Sequence, residues 1–195
     1  MHDNDKIIKF PGGSPRQGAI VLRLELLLVP LPVWRRIMIG ADCTFWDLHV
    51  AIQDAMGWED KHLHRFTVDD PRTAERLHFG IPDASGFHGS ERIEPGWEHR
   101  VTRYLVTDGL PMLYTYDFGD FWQHEVLREP AHDIAADQSL PTILAGEGAC
   151  PREDCGGPAG WSDLLKSGLA AEFDPADIEF QDPVQRWRHI FGPAD

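Results

Sequence analysis

The stretch from Tyr114 to Val126, Tyr-Thr-Tyr-Asp-Phe-Gly-Asp-Phe-Trp-Gln-His-Glu-Val, sets a dense run of polar-tipped side chains around one short break. Two β-prone runs flank an acidic, glycine-containing break, which is the pattern of a hairpin. Gly119 can supply a positive φ there, and Asp117 or Asp120 can close an Asx-type turn with its own side chain. His124 beside a carboxylate would titrate near neutrality, so Asp117, Asp120 and His124 are candidates for metal ligands or for a general acid and base. The plainer reading, which these residue types favour, is a turn whose polar groups satisfy loop amides.

A second unusual stretch is Cys150-Pro-Arg-Glu-Asp-Cys155-Gly-Gly. Two thiols four residues apart offer half of a zinc site, with His124 as a third ligand and Glu153 or Asp154 completing it. Alternatively the cysteines are small buried side chains, and Gly156 with Gly157 simply lets the backbone turn. His62 and His64, at strand spacing, would share one face and offer another pair of ligands. Arg35 and Arg36 should point to opposite faces of a strand, one of them pairing with Asp117 or Asp120. Trp58, Trp122, Trp161 and Trp187 could line a cleft, although packing is the commoner role for such residues.

The elements that must position these groups are legible in outline. Ala19 to Val29 and Val33 to Ile39 read as antiparallel strands joined across Pro30-Leu31-Pro32. Thr44 and Asp47 form a capping-box start for a helix carrying Phe45, Leu48, Ile52 and Met56, and Gly57 stops it. His62 to Val68 is a third strand. The order strand, strand, helix, strand is like the opening of a β-grasp sheet by topology alone. Residues 69–100 show no clear period beyond a short strand near Leu77 to Phe79, and Val101 to Val106 fits a strand or a short helix. Residues 130–148 read as a loop with a short helix. Ser162 can cap a helix bearing Leu164, Leu165 and Leu169, and Asp182-Pro183 opens another with Val184, Trp187 and Phe191 on one face. The expected fold is α+β: an antiparallel-rich mixed sheet with helices on one side. One domain over 19–192 follows a flexible lead-in over 1–18.

Composition narrows the partners. With 195 residues, 18 basic and 32 acidic, the formal charge is −14. That balance repels a phosphate backbone, and no Lys/Arg-rich tract offsets it, so nucleic acid is disfavoured. Three cysteines without a secretion signal point to a reducing compartment, and the apolar stretch at 19–34 is too charged to span a bilayer. A soluble, cytoplasmic protein is expected.

Taken in order, several segments resemble the plasmid pRiA4b ORF-3-like family, also labelled transposon passenger TnpR or resolvase-like. They are Pro32-Val-Trp-Arg-Arg-Ile37, Asp47-Leu-His49, Met56-Gly-Trp58, His62-Leu-His-Arg-Phe66, Tyr116-Asp-Phe-Gly-Asp120 with Trp122 and His124, Cys150 to Gly157, and Phe173-Asp-Pro175. The resemblance implies an α+β domain linked to mobile elements and little biochemistry. Relatives commonly carry a further cysteine near Ile143 and a proline where this chain has Arg152.

The leading expectation is a non-catalytic binding or adaptor domain that engages a protein or small-molecule partner. Its binding face would combine the hairpin (Tyr116, Asp117, Asp120, Trp122, His124) with Arg35 and Arg36 and with the loop bearing Glu153, Asp154, Gly156 and Gly157. A zinc-dependent, hydrolase-like enzyme using Asp117, Asp120 and His124 is the alternative. A DNA-recombination accessory role follows from the family label alone.

Overall fold

A computed structural model describes residues 18–82, 91–107, 109–130, 139–168 and 172–192. Among the described residues eight strands form one sheet: β1 (Ala19–Leu26), β2 (Trp34–Gly40), β3 (His64–Asp69), β4 (Arg76–Gly80), β5 (Ile93–Pro95), β6 (Met112–Tyr116), β7 (Trp122–Glu129) and β8 (Thr142–Glu147). Their order across the sheet is β5-β4-β3-β6-β7-β1-β2-β8, and every pairing is antiparallel except that of β4 with β5. The strand, strand, helix, strand opening is present. In the sheet, however, β6 and β7 lie between β1 and β3, which puts the central hairpin at the middle of the molecule.

Alternation explains which face is buried. Leu22, Leu24 and Leu26 of β1 point into the core, while Arg23 and Glu25 lie on the opposite face and pair with each other. In β7 the core positions are Trp122, His124 and Val126. Helix α1 (Phe45–Met56) covers this face of the sheet. Thr44 Oγ1 accepts from Asp47 N and Asp47 accepts from Thr44 N, forming the expected capping box, and Gly57 ends the helix in the left-handed region.

Helix α1 is buried nearly all round, which a single amphipathic stripe at Phe45, Leu48, Ile52 and Met56 does not convey. Phe45, Leu48 and Ile52 meet the sheet, whereas Trp46 and Val50 on the far side pack with Trp97 and with Trp187 of α3 (Pro183–Phe191). Helix α3 starts as expected, with Asp182 accepting from Val184 N and Gln185 N.

Several boundaries differ from the sequence reading. Strand β3 begins at His64, because residues 57–63 turn the chain from the end of α1 back to the sheet. Thr142–Glu147, expected in a loop with a short helix, is an edge strand instead, since pairing with β2 satisfies its backbone. Val101–Arg103 is a short 3-10 turn. Helix α2 (Gly157–Lys166) starts five residues before the expected Ser162 cap, with Pro158 in its first turn. The lead-in up to residue 17, Leu169 and residues 131–138 lie outside the described residues. Among the described residues no helix is long and apolar enough to cross a membrane.

Candidate binding site at the hairpin end of the sheet

The hairpin forms as its sequence suggests, with Tyr114 opposite His124 and Tyr116 opposite Trp122. Its turn, 117–121, takes its positive φ at Asp117 (54°) and Phe121 (60°), and not at Gly119 as expected. Asp117 Oδ1 accepts from Gly119 N at 2.9 Å, the Asx turn anticipated, and Asp117 N donates to Leu63 O at 3.0 Å. The turn is thereby joined to the loop that leads into β3.

The Cys150–Gly157 loop closes on the same turn. Asp120 Oδ2 accepts from Gly156 N at 3.1 Å. Gly157 has φ 65°, and a Cβ there would lie 2.6 Å from Asp120 O, so this approach requires glycine. Tyr116 donates its hydroxyl hydrogen to Glu153 and accepts from Lys61 N. Burial, reinforced by the Glu153 carboxylate, pushes the Tyr116 phenol well above its ordinary range. From below, Trp58 Nε1 donates to Pro151 O at 2.9 Å.

His62 completes the convergence. It precedes β3, and its Nε2 lies 2.9 Å from Asp154 Oδ1 and 3.6 Å from Asp117 Oδ2. Lys61 Nζ sits 2.7 Å from Glu59 and 3.6 Å from Glu153. Three loops therefore meet in a hydrogen-bonded ledge rich in carboxylates. Beside it, Leu27 N donates to Gln123 O, which brings the turn between β1 and β2 alongside. Leu28 and Phe121 there are exposed and both have positive φ, a conformation that bulky side chains rarely adopt.

The sequence-predicted residues separate into those that join this ledge and those that do not. Asp117, Asp120, Tyr116, Glu153, Asp154, Gly156 and Gly157 join it. His124 does not: it is on the core face of β7, fully buried, with its ring edge-on to Trp58 at 5.3 Å. Neither of its ring nitrogens has a hydrogen-bond partner among the described residues. Burial, with some help from the positive charge of Arg35, lowers its pKa to about 3. His124 therefore stays neutral and does not work as an acid or base beside Asp117 and Asp120.

The proposed zinc set of Cys150, Cys155 and His124 is not assembled. Among the described residues, potential ligand atoms come within 4.8 Å of one another in just two triples, His62–Asp117–Asp154 and His49–Asp60–His64. Neither contains a cysteine or His124. Burial pushes both the Cys150 and Cys155 thiols up, which keeps them protonated. His62 and His64 do not share a face as ligands either. His64 turns inward and stacks on His49 at 3.5 Å, while His62 lies outside the strand on the ledge.

The arginines also depart from expectation. Arg35 is buried and donates to the carbonyls of Trp34, Ala55, Glu147 and Gly148, tying β2, α1 and β8 together beneath the ring of Phe173. Burial lowers its pKa. Arg36 pairs with Glu129 at 2.6 Å on the other face. Neither reaches Asp117 or Asp120. Trp58, Trp122, Trp161 and Trp187 are all buried packing residues.

Sequence reasoning missed a polar network inside the core. His49 Nδ1 meets Tyr114 Oη at 2.9 Å and His49 Nε2 meets Asp60 Oδ1 at 2.8 Å, and Gln53 bonds both Tyr114 and Asp60 N. Arg186 of α3 binds Asp54 at 2.6 Å and lies 3.8 Å from Asp60. The signal was present as His49, Gln53 and Asp54 on a helix whose other polar residue is the capping Asp47. It requires knowing that α1 is buried on both sides.

The fold and site together define an α+β sheet protein with an acidic three-loop ledge at one end of its central hairpin. The description "Plasmid pRiA4b ORF-3-like protein" matches residues 18–195, and the chain belongs to that family. It is 31% identical over 151 residues to the uncharacterised protein y4hQ of Sinorhizobium fredii (strain NBRC 101917 / NGR234), covering 76% of this chain and 73% of the relative. Its fold is similar to the crystal structure of MM3350, a protein of unknown function from Methanosarcina mazei Go1. That match has a TM-score of 0.75 and 30% identity, covering 83% of this chain and 97% of the other.

Proposed function

We propose that this is a non-catalytic binding domain that docks a positively charged, apolar-anchored segment of a partner protein on the three-loop ledge. The observation that carries the reading is the convergence itself. The Tyr116–Glu153, Asp120–Gly156 and His62–Asp154 contacts hold carboxylates from separate loops in one fixed array. An array held in advance loses little side-chain entropy on binding. Glu59, Asp117, Asp120, Glu153 and Asp154 favour a cationic ligand, as does the overall charge of −14. Leu28 and Phe121 at the margin offer apolar contact. The plasmid origin in the family description supports placing such a domain in an accessory-gene module.

The test is fluorescence polarisation with a labelled peptide of alternating arginine and leucine, against a counterpart with glutamate for arginine. The arginine peptide should bind, and more weakly as salt rises. Asp154→Asn with Phe121→Ser should weaken it by about fivefold to tenfold. Equal affinity for the glutamate peptide, or no change in the double variant, would overturn the reading.

A further inference from the structure

We propose that His62, Asp117 and Asp154 form a binding site for a divalent transition-metal ion. Each of the three converging loops contributes one ligand: His62 from 57–63, Asp117 from the hairpin turn, and Asp154 from the Cys150–Gly157 loop. Their ligand atoms lie within 4.8 Å of one another, with His62 Nε2 2.9 Å from Asp154 Oδ1 and 3.6 Å from Asp117 Oδ2. In a tetrahedral zinc site with ligand bonds of about 2.1 Å, neighbouring ligand atoms are about 3.4 Å apart. The two histidine-to-carboxylate distances lie on either side of that value.

A second observation points to a cation. The Asp117 side chain is 10% exposed, and its Oδ1 is satisfied by Gly119 N. Among the described residues its Oδ2 accepts no hydrogen bond, and the group it faces is His62 Nε2 at 3.6 Å. Next to it, the Glu153 side chain is 7% exposed and its Oε2 likewise lacks a hydrogen bond, having only the 3.6 Å approach of Lys61. A metal ion at Asp117 Oδ2 would give this nine-tenths-buried carboxylate a closer positive partner than the His62 ring at 3.6 Å.

The donor set selects the ion. One imidazole with two carboxylates suits zinc or manganese, whereas magnesium and calcium prefer oxygen alone. Three protein ligands on a solvent-facing ledge leave the remaining positions to water. The other triple differs on this point: the His49 and Asp60 side chains are 0% and 5% exposed and His64 is buried, so that cluster faces the core and not solvent. Metal and partner would draw on the same Asp117 and Asp154 carboxylates; binding measured without peptide reads the metal alone, so failure of one reading is distinguishable from failure of the other.

The experiment is equilibrium dialysis with elemental analysis on the full chain, untagged and stripped with chelator, titrated with zinc and then manganese. One equivalent should bind saturably and raise the melting temperature. His62→Gln and Asp154→Asn should each weaken binding by more than about tenfold while circular dichroism stays unchanged. Cys150→Ser and Cys155→Ser should leave it intact. Absence of saturable binding would reduce the cluster to a histidine ion-paired with two carboxylates. Binding retained in both His62→Gln and Asp154→Asn, or lost in the cysteine variants, would equally overturn the site.

Discussion

His124 shows how far one residue's role depends on its depth. A neutral, buried histidine cannot take up a proton until the pH nears about 3, whereas the unfolded chain protonates it below about 6.5. Between those values the unfolded state binds the extra proton. The folded state therefore loses up to about 1.4 kcal/mol per pH unit as the solution is acidified, and nothing from this group above pH 6.5. His124→Phe replaces the ring by an apolar one of similar shape and leaves no nitrogen unsatisfied. Urea unfolding across pH 7 to 4 should give a shallower loss of stability for the variant, and coincident pH profiles would contradict this account. Asp54 and Arg186 make a second prediction at this scale. Their side chains are 3% and 7% exposed, so Arg186→Ala strands a buried carboxylate and should cost about 3–5 kcal/mol in urea unfolding.

At the scale of elements, the two loops of the ledge depend on a close backbone approach. Gly157→Ala puts a Cβ 2.6 Å from Asp120 O at a positive φ and should cost about 2–3 kcal/mol. Gly168→Ala, also at positive φ but with open space around it, should cost about 1 kcal/mol by the same measurement. Equal costs would mean that the two loops do not press together. Elements with a strong local signal were legible in the sequence: α1 through Thr44, Asp47 and Gly57, the hairpin through Asp117 and Gly119, and α3 through Asp182 and Pro183. Strand β8 was not, because Thr142–Glu147 has little alternation and is a strand by virtue of pairing with β2. The start of α2 was also hidden, since its N-cap is Gly156, which has no side chain to cap with and donates its own N–H to Asp120.

For the molecule as a whole, the sheet order decides which motifs meet. Because β6 and β7 are inserted between β3 and β1, the hairpin turn meets the loop before β3 on one side and the turn between β1 and β2 on the other. The sequence marked the hairpin and the Cys150–Gly157 stretch as unusual, and the Asp120–Gly156 and Tyr116–Glu153 contacts join them. It did not mark His62 as their third partner, nor Leu28 and Phe121 as a margin, because those neighbours are created by strand order and not by spacing. Likewise His124, two residues beyond Trp122, was assigned to the site by proximity in sequence although the alternation of β7 sends it into the core. The most direct test of the ledge as the functional surface is nitrogen-15 NMR of the full chain titrated with the arginine–leucine peptide. Shifts should concentrate in residues 59–63, 117–121 and 150–157 and at Leu28. Shifts centred on β8 or on the outer face of the sheet, or none at all, would contradict the account.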